Sequence, residues 1–340
     1  MKSLTIDDSY IVSKGQDYLF VLFLPILLFL LFFSTLQSHE INMALAPFIS
    51  FIIYLDLSHL LLVFWRSHGN SSIYTKFKKR MLFSPLLIIL LIALPGSVLF
   101  YVACFVALWD LWHVSMQNFG LARIYEMMSS KNPLRHRLSD QVIHLGIFLV
   151  PALFMTRFAY GFFLNGRMKM ERLFDSRTPW GEMSYIEKTF PGETQFYSLI
   201  FIFAVIFSII FYKFFRQLQQ ARQGVSLNKN KWLFNASLAL SVFSAFIFLP
   251  IEMAVTMMAL LHSIQYYWIV WHKEKHHLFS KLPKIASLII FVLITLLATF
   301  LIFTIVDEWM QVGVAIIVGI RILHFWYDGF IWSVRSKDVA

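Results

Sequence analysis

Ten apolar runs divide this chain, most of them long enough to cross a bilayer, and they leave it little choice of fold. They fall at roughly 18–36, 43–65, 81–94, 97–118, 141–164, 196–213, 232–249, 251–271, 284–305 and 311–333. Read as helices, they predict an all-α polytopic transmembrane bundle of about ten helices, forming one integral membrane domain over 1–340. Mean hydropathy is +0.68, hydrophobic residues make up 59% of the chain and charged residues only 14%, which is too apolar for a soluble domain of 340 residues. The third run is short and ends at Pro95-Gly96, a turn signal, so the third and fourth runs are predicted to form a tight helical hairpin. No signal peptide is expected, because the first run is long and no small-residue cleavage site follows it.

Loop charge gives the orientation. Arg66, Lys76, Lys78, Lys79 and Arg80 fill the second loop, and Lys131, Arg135 and Arg137 the fourth. Further Lys and Arg collect in the sixth and eighth loops and in the tail. The intervening short loops carry none, and the loop at 165–195 holds both signs in balance. The positive-inside rule then predicts both termini in the cytoplasm and an extracytoplasmic 165–195 loop, with a bacterial inner membrane as the expected location. The net charge of +10 has the same origin and gives no reason to expect nucleic acid. Cys104 is the only cysteine, which excludes internal disulfides, iron–sulfur clusters and cysteine-built zinc sites.

Within this frame four histidines stand out. His59, His113, His262 and His324 each interrupt an apolar run, on the second, fourth, eighth and tenth helices. Those helices all run from outside to inside, and the four residues lie within about 8 Å of depth at 1.5 Å rise per residue. Ionisable groups at this level cost about 2.5 kcal/mol or more each on insertion, so they are read as functional. Residues three or four apart share a helix face, which places Asp56 with His59, Asp110 and Gln117 with His113, Gln265 with His262, and Asp328 with His324. Imidazole suits iron, copper and zinc, and added carboxylates favour iron or zinc. The expected metal ligands are thus His59, His113, His262 and His324, with Asp56, Asp110 and Asp328 as further ligands or as partners that fix a histidine tautomer.

Each residue also has a plainer reading. A single intramembrane histidine is often a helix-to-helix hydrogen-bonding group. Gln117 and Gln265 read as interhelical glue or as groups near the substrate. Arg321 lies seven residues before Asp328 on the same face and could pair with it. His144 opens the fifth helix, where it either joins the histidine layer or faces the headgroups. His272, His276 and His277 sit among Lys273, Glu274 and Lys275 and read as solvated. Trp65, Trp309 and Trp332, near run ends, read as interfacial belt residues.

Three segments carry a resemblance: Trp112-His113-Val-Ser-Met-Gln117-Asn118-Phe-Gly120 with Tyr125, then His262-Ser-Ile-Gln265-Tyr266, then His324-Phe-Trp-Tyr-Asp328-Gly329-Phe-Ile-Trp332. They resemble segments of uncharacterised bacterial polytopic membrane proteins. More distantly, the arrangement is similar to membrane carotene-cleaving dioxygenases of the Brp/Blh type, which hold non-haem iron with intramembrane histidines. The resemblance covers short stretches of the fourth, eighth and tenth helices, and the HxxHH boxes of membrane desaturases are absent. It implies a non-haem iron oxidoreductase acting on a lipid-soluble substrate, with an electron donor as a possible partner and Tyr266 close to the site. Two other expectations stand beside it: a haem-b electron carrier with two axial histidines, and a proton- or ion-coupled transporter.

Overall fold

The computed structural model describes residues 6–7, 10–37, 42–129, 137–154, 193–222, 227–278 and 282–332. These are almost entirely helical. The helices are α1 (Lys14–Asp17), α2 (Leu24–Gln37), α3 (Asn42–Ser67), α4 (Ser71–Phe83), α5 (Leu86–Ile92) and α6 (Gly96–Ser129). They continue with α7 (Arg137–Phe154), α8 (Glu193–Arg222), α9 (Lys229–Phe248), α10 (Ile251–Leu278), α11 (Lys284–Glu308) and α12 (Met310–Ile331). A π-helical turn, Tyr18–Leu22, links α1 to α2, and Ile6–Asp7 pairs in parallel with Leu227–Asn228.

Among the described residues five helices are long and apolar enough to cross a membrane, or six if the bent pair 14–22 and 24–35 counts as one span. The chain is therefore a helical protein with the composition of an integral membrane protein. The third apolar run does not make a spanning helix of its own. It splits at Ser84-Pro85 into the end of α4 and the seven residues of α5. The 165–195 loop lies, up to its last three residues, outside the described residues, as do the end of the fifth run and the basic tail.

The chain divides into two compact units. The first comprises 1–47 and 111–261. In it α9 packs on α2 and α8, and α7 packs on α8 and α9. Rings mesh along these seams, as where Phe203 meets Phe243 at 5.2 Å and Phe33 meets Phe248 at 6.4 Å. At one end of this unit the charged residues close on one another. Lys231, fully buried, donates to Glu126 and Asp140 at 2.8 Å each, and Arg123 donates to Asp140 at 2.8 Å. Asp17 accepts from the backbone N–H groups of Ile11, Val12 and Ser13 and from the Tyr125 hydroxyl. Asn228 caps α9 by accepting from the N–H groups of Asn230 and Lys231.

The second unit comprises 48–110 and 262–340. Its centre is α12, packed on α11 and α5. Two glycines permit this. A Cβ on Gly313 would stand 2.4 Å from the Val306 Cα, and one on Gly319 would stand 2.7 Å from Ile88 Cγ1. The turn between α11 and α12 is a single residue, Trp309, with φ −135° and ψ 68°, outside helical geometry. α4, capped by Asn70, lays Ile73, Tyr74 and Phe77 against Val63, Tyr327 and Phe330, and turns Lys76, Lys78, Lys79 and Arg80 outward. α3 is pinned to α11 by the Trp65 indole N–H, which donates to Thr295 Oγ1 at 3.0 Å, and by a hydrogen bond from the Tyr54 hydroxyl to the Leu296 carbonyl.

Candidate metal centre

Three helices of the second unit each present an imidazole at one level: His59 on α3, His262 on α10 and His324 on α12. All three are buried. One ligand atom from each lies within 4.8 Å of the others. The rings meet edge to face, with centroids 4.6 Å apart for His59 and His262, 5.1 Å for His59 and His324, and 6.2 Å for His262 and His324. Modest side-chain rotation would bring three such nitrogens onto one ion.

The carboxylates are divided between two tasks. Asp56 Oδ1 lies 3.4 Å from His59 Nδ1, and the Ser263 hydroxyl reaches both, 3.3 Å from Asp56 Oδ1 and 3.0 Å from His59 Nδ1. An acceptor beside Nδ1 favours the tautomer protonated there and puts the lone pair on Nε2. Asp56 also accepts from Arg321 at 3.1 Å, and Arg321 reaches Asp110 with its other terminal nitrogen at 3.1 Å. Arg321 thus bridges two acids, while Asp328 lies two turns further along α12. Asp328 Oδ1 accepts from the Tyr266 hydroxyl at 2.6 Å, and its Oδ2 lies 3.5 Å from His324 Nε2. Three carboxylates and one guanidinium thus lie about the histidines, two of the acids on Arg321 and the third on Tyr266.

Tyr266 stands over the cluster, its ring 4.8 Å from that of His324, 5.9 Å from His59 and 6.2 Å from His262. Its oxygen accepts from the Trp332 indole N–H at 3.3 Å. The Arg66 guanidinium stacks 4.1 Å over the Trp332 ring and pairs with Glu274 at 2.5 Å, and Asn70 also donates to Glu274. This neutral pair closes the end of the unit below the histidines. Gln265, one turn beyond His262 on α10, is fully buried, and neither of its amide atoms has a hydrogen-bond partner among the described residues.

The remaining expected residues lie in the first unit. His113 is buried on α6, one turn past Asp110, and Gln117 follows it one turn later. His144 is buried on α7, its Nδ1 donating to the Asp140 carbonyl and its ring 6.0 Å from Phe119 and 6.5 Å from Phe234. Ser263 and Trp332 belong to the site although sequence reasoning passed over the first and assigned the second to the lipid interface. Ser263 had a faint signal, being a hydroxyl next to a candidate ligand. Trp332 had none, since a run-end tryptophan reads the same whether its indole faces headgroups or a phenol.

Comparison with protein-family models, with curated proteins and with solved structures finds no match to this chain.

Proposed function

We propose that this chain is a membrane-embedded metalloenzyme in which His59, His262 and His324 hold one divalent ion, and that it is a non-haem iron oxidoreductase of the oxygenase type acting on a lipid-soluble substrate. The observation that carries the reading is the meeting of three buried imidazoles from three helices, with one ligand atom of each within 4.8 Å of the others. A bound dication would favour the ionised form of the neighbouring carboxylates, which lipid cannot solvate. Asp328, 3.5 Å from His324 Nε2, adds a carboxylate beside the histidines, a combination that suits non-haem iron. Bound iron would supply one-electron chemistry. The chain's own part is to orient the imidazoles through Asp56, Ser263 and Asp328, and to exclude water with Tyr266 and its aromatic neighbours.

The edge-to-face contacts favour a single ion over haem, because His59 packs against both other rings and a porphyrin plane would have to part them. A transporter reading has one observation behind it: Asp110, Arg321, Asp56, Ser263 and His59 form a continuous polar chain. Proton flux in sealed vesicles would favour that reading over the enzyme. In the reading preferred here the protein is a multi-pass protein of a bacterial inner membrane, with both termini cytoplasmic and an electron donor on that side.

The test is metal analysis and an absorption spectrum of the detergent-purified protein. Wild type is expected to carry about one iron and no Soret band. His262→Ala and His324→Ala should lose most of the metal, and His276→Ala should keep it. His113→Ala tells whether α6 contributes a further ligand. Full metal content in both His262→Ala and His324→Ala, with each variant folded, would sink the assignment.

A further inference from the structure

The outward face of α4 lies apart from the metal centre and has no part in it. This helix carries Lys76, Lys78, Lys79 and Arg80 and no Asp or Glu along its length. Its inward face is taken up by the protein itself. Ile73, Tyr74 and Phe77 pack with Met81 on Val63, Tyr327 and Phe330, and the Phe77 and Phe330 rings lie 4.7 Å apart. Held to α3 and α12 by this apolar side, the helix cannot turn its cations inward. Lys78, Lys79 and Arg80 are exposed, and among the described residues none of them makes an ion pair. Arg80 is fixed in place, its guanidinium 5.2 Å over the Phe330 ring and 6.0 Å from that of Phe77. A stacked guanidinium keeps its in-plane N–H groups for an oxyanion.

Immediately after these cations the surface turns apolar. Lys78 and Lys79 stand one turn before Leu82 and Phe83, both of which are more than half exposed. Beyond the Ser84-Pro85 break the exposed stripe continues along α5 as Leu86, Ile89 and Leu90, while Leu87, Ile88 and Leu91 pack on the protein. A contiguous row of large exposed apolar side chains needs apolar cover. In a chain with the composition of an integral membrane protein, acyl chains supply it. The surface thus passes from cationic to apolar within about one helical turn, roughly 5.4 Å, as a phospholipid does between its phosphate and its acyl chains. From this juxtaposition we infer that α4 and α5 form a docking site for an anionic phospholipid. Lys78, Lys79 and Arg80 hold its headgroup phosphate, and its acyl chains lie along Leu82, Phe83 and the outward face of α5. A soluble acidic partner would match the cations and leave the apolar stripe uncovered. A zwitterionic lipid would cover the stripe but bring a cation of its own to three unpaired ones.

The test is native mass spectrometry of the full-length protein released from detergent micelles, with dioleoylphosphatidylglycerol or dioleoylphosphatidylcholine added. The two lipids share their acyl chains and differ in net charge. The expected result is about tenfold tighter binding of the phosphatidylglycerol. The double variant Lys78→Gln and Lys79→Gln, which leaves the stacked Arg80 in place, should lose most of that preference. The double variant Lys14→Gln and Lys284→Gln, which removes the same charge from exposed lysines elsewhere, should keep it. Inorganic phosphate in excess should not displace the lipid, whereas raising salt to about 1 M should weaken the preference. The inference is overturned if wild type binds both lipids alike, if the α4 double variant keeps the preference, if the control variant loses it, or if inorganic phosphate displaces the lipid. Should the α4 double variant fail to fold, Lys79→Gln and the salt dependence of wild type decide, and a preference that survives about 1 M salt overturns the inference.

Discussion

At the scale of single residues the decisive group is Arg321. A guanidinium in a membrane helix needs a partner, and its fork geometry lets it hold two carboxylates at once. Here it holds Asp56 and Asp110, each at 3.1 Å. Arg321→Leu therefore strands two acids, and the expected loss is about 3–5 kcal/mol, as for other broken buried pairs. Thermal unfolding in mild detergent measures it. Adding Asp56→Asn and Asp110→Asn to that variant should recover much of the stability, since a layer without charges needs no counter-ion. An Arg321→Leu single variant as stable as wild type would show that lipid or water satisfies these acids instead. The pairing of Arg321 was not legible in the sequence. Spacing put Arg321 and Asp328 on one face of α12, but the nearest acids belong to other helices, and only their packing makes them neighbours.

At the scale of elements, the starts of α7 and α9 meet the end of α6 through Lys231. Asp140 precedes the apolar run of α7, so it stands at the membrane edge. Burial alone would raise its carboxyl, but Lys231 and Arg123 outweigh that and hold it below the ordinary carboxylate range. A group depressed in the folded state contributes stability that is complete above its unfolded value of about 3.9 and is lost as pH falls through the folded one. The thermal midpoint of wild type should therefore decline below about pH 4, and Asp140→Asn should remove that part of the slope while lowering stability at neutral pH. A wild-type midpoint flat down through the acid range would mean that the cluster does not stabilise the fold. Helix limits were mostly legible: the sequence runs anticipate α9, α11 and α12 to within about three residues at most ends. The third run was not, because an unbroken apolar stretch hides the Ser84-Pro85 break that separates α4 from α5.

At the scale of the whole molecule, the alternation of basic and uncharged loops makes a prediction independent of any site. A reporter fused at the tail should be active only as a cytoplasmic fusion, and one inserted within 165–195 only as a periplasmic fusion. Periplasmic activity at the tail would refute the topology, and with it the common orientation of α3, α6, α10 and α12 from which the histidine layer was inferred. The division into two compact units, with α3, α6 and α10 each contributing to both, had no signature in composition, because an apolar run continues through each of the three boundaries.

The sequence by itself determined that the chain is helical and suited to a bilayer, because hydropathy and loop charge act residue by residue and need no partner. It also singled out the histidines of the apolar runs, since position along a helix is a matter of counting. Which side chains meet was decided only by tertiary structure. Helix rotation and close approach, set by contacts such as Gly319 against Ile88, choose among the faces that the sequence merely lists. That is why His59, His262 and His324 could be named in advance as candidates, whereas the turn of Asp56 and Asp110 toward Arg321 and the reach of Ser263 to His59 became visible only once four helices had been packed.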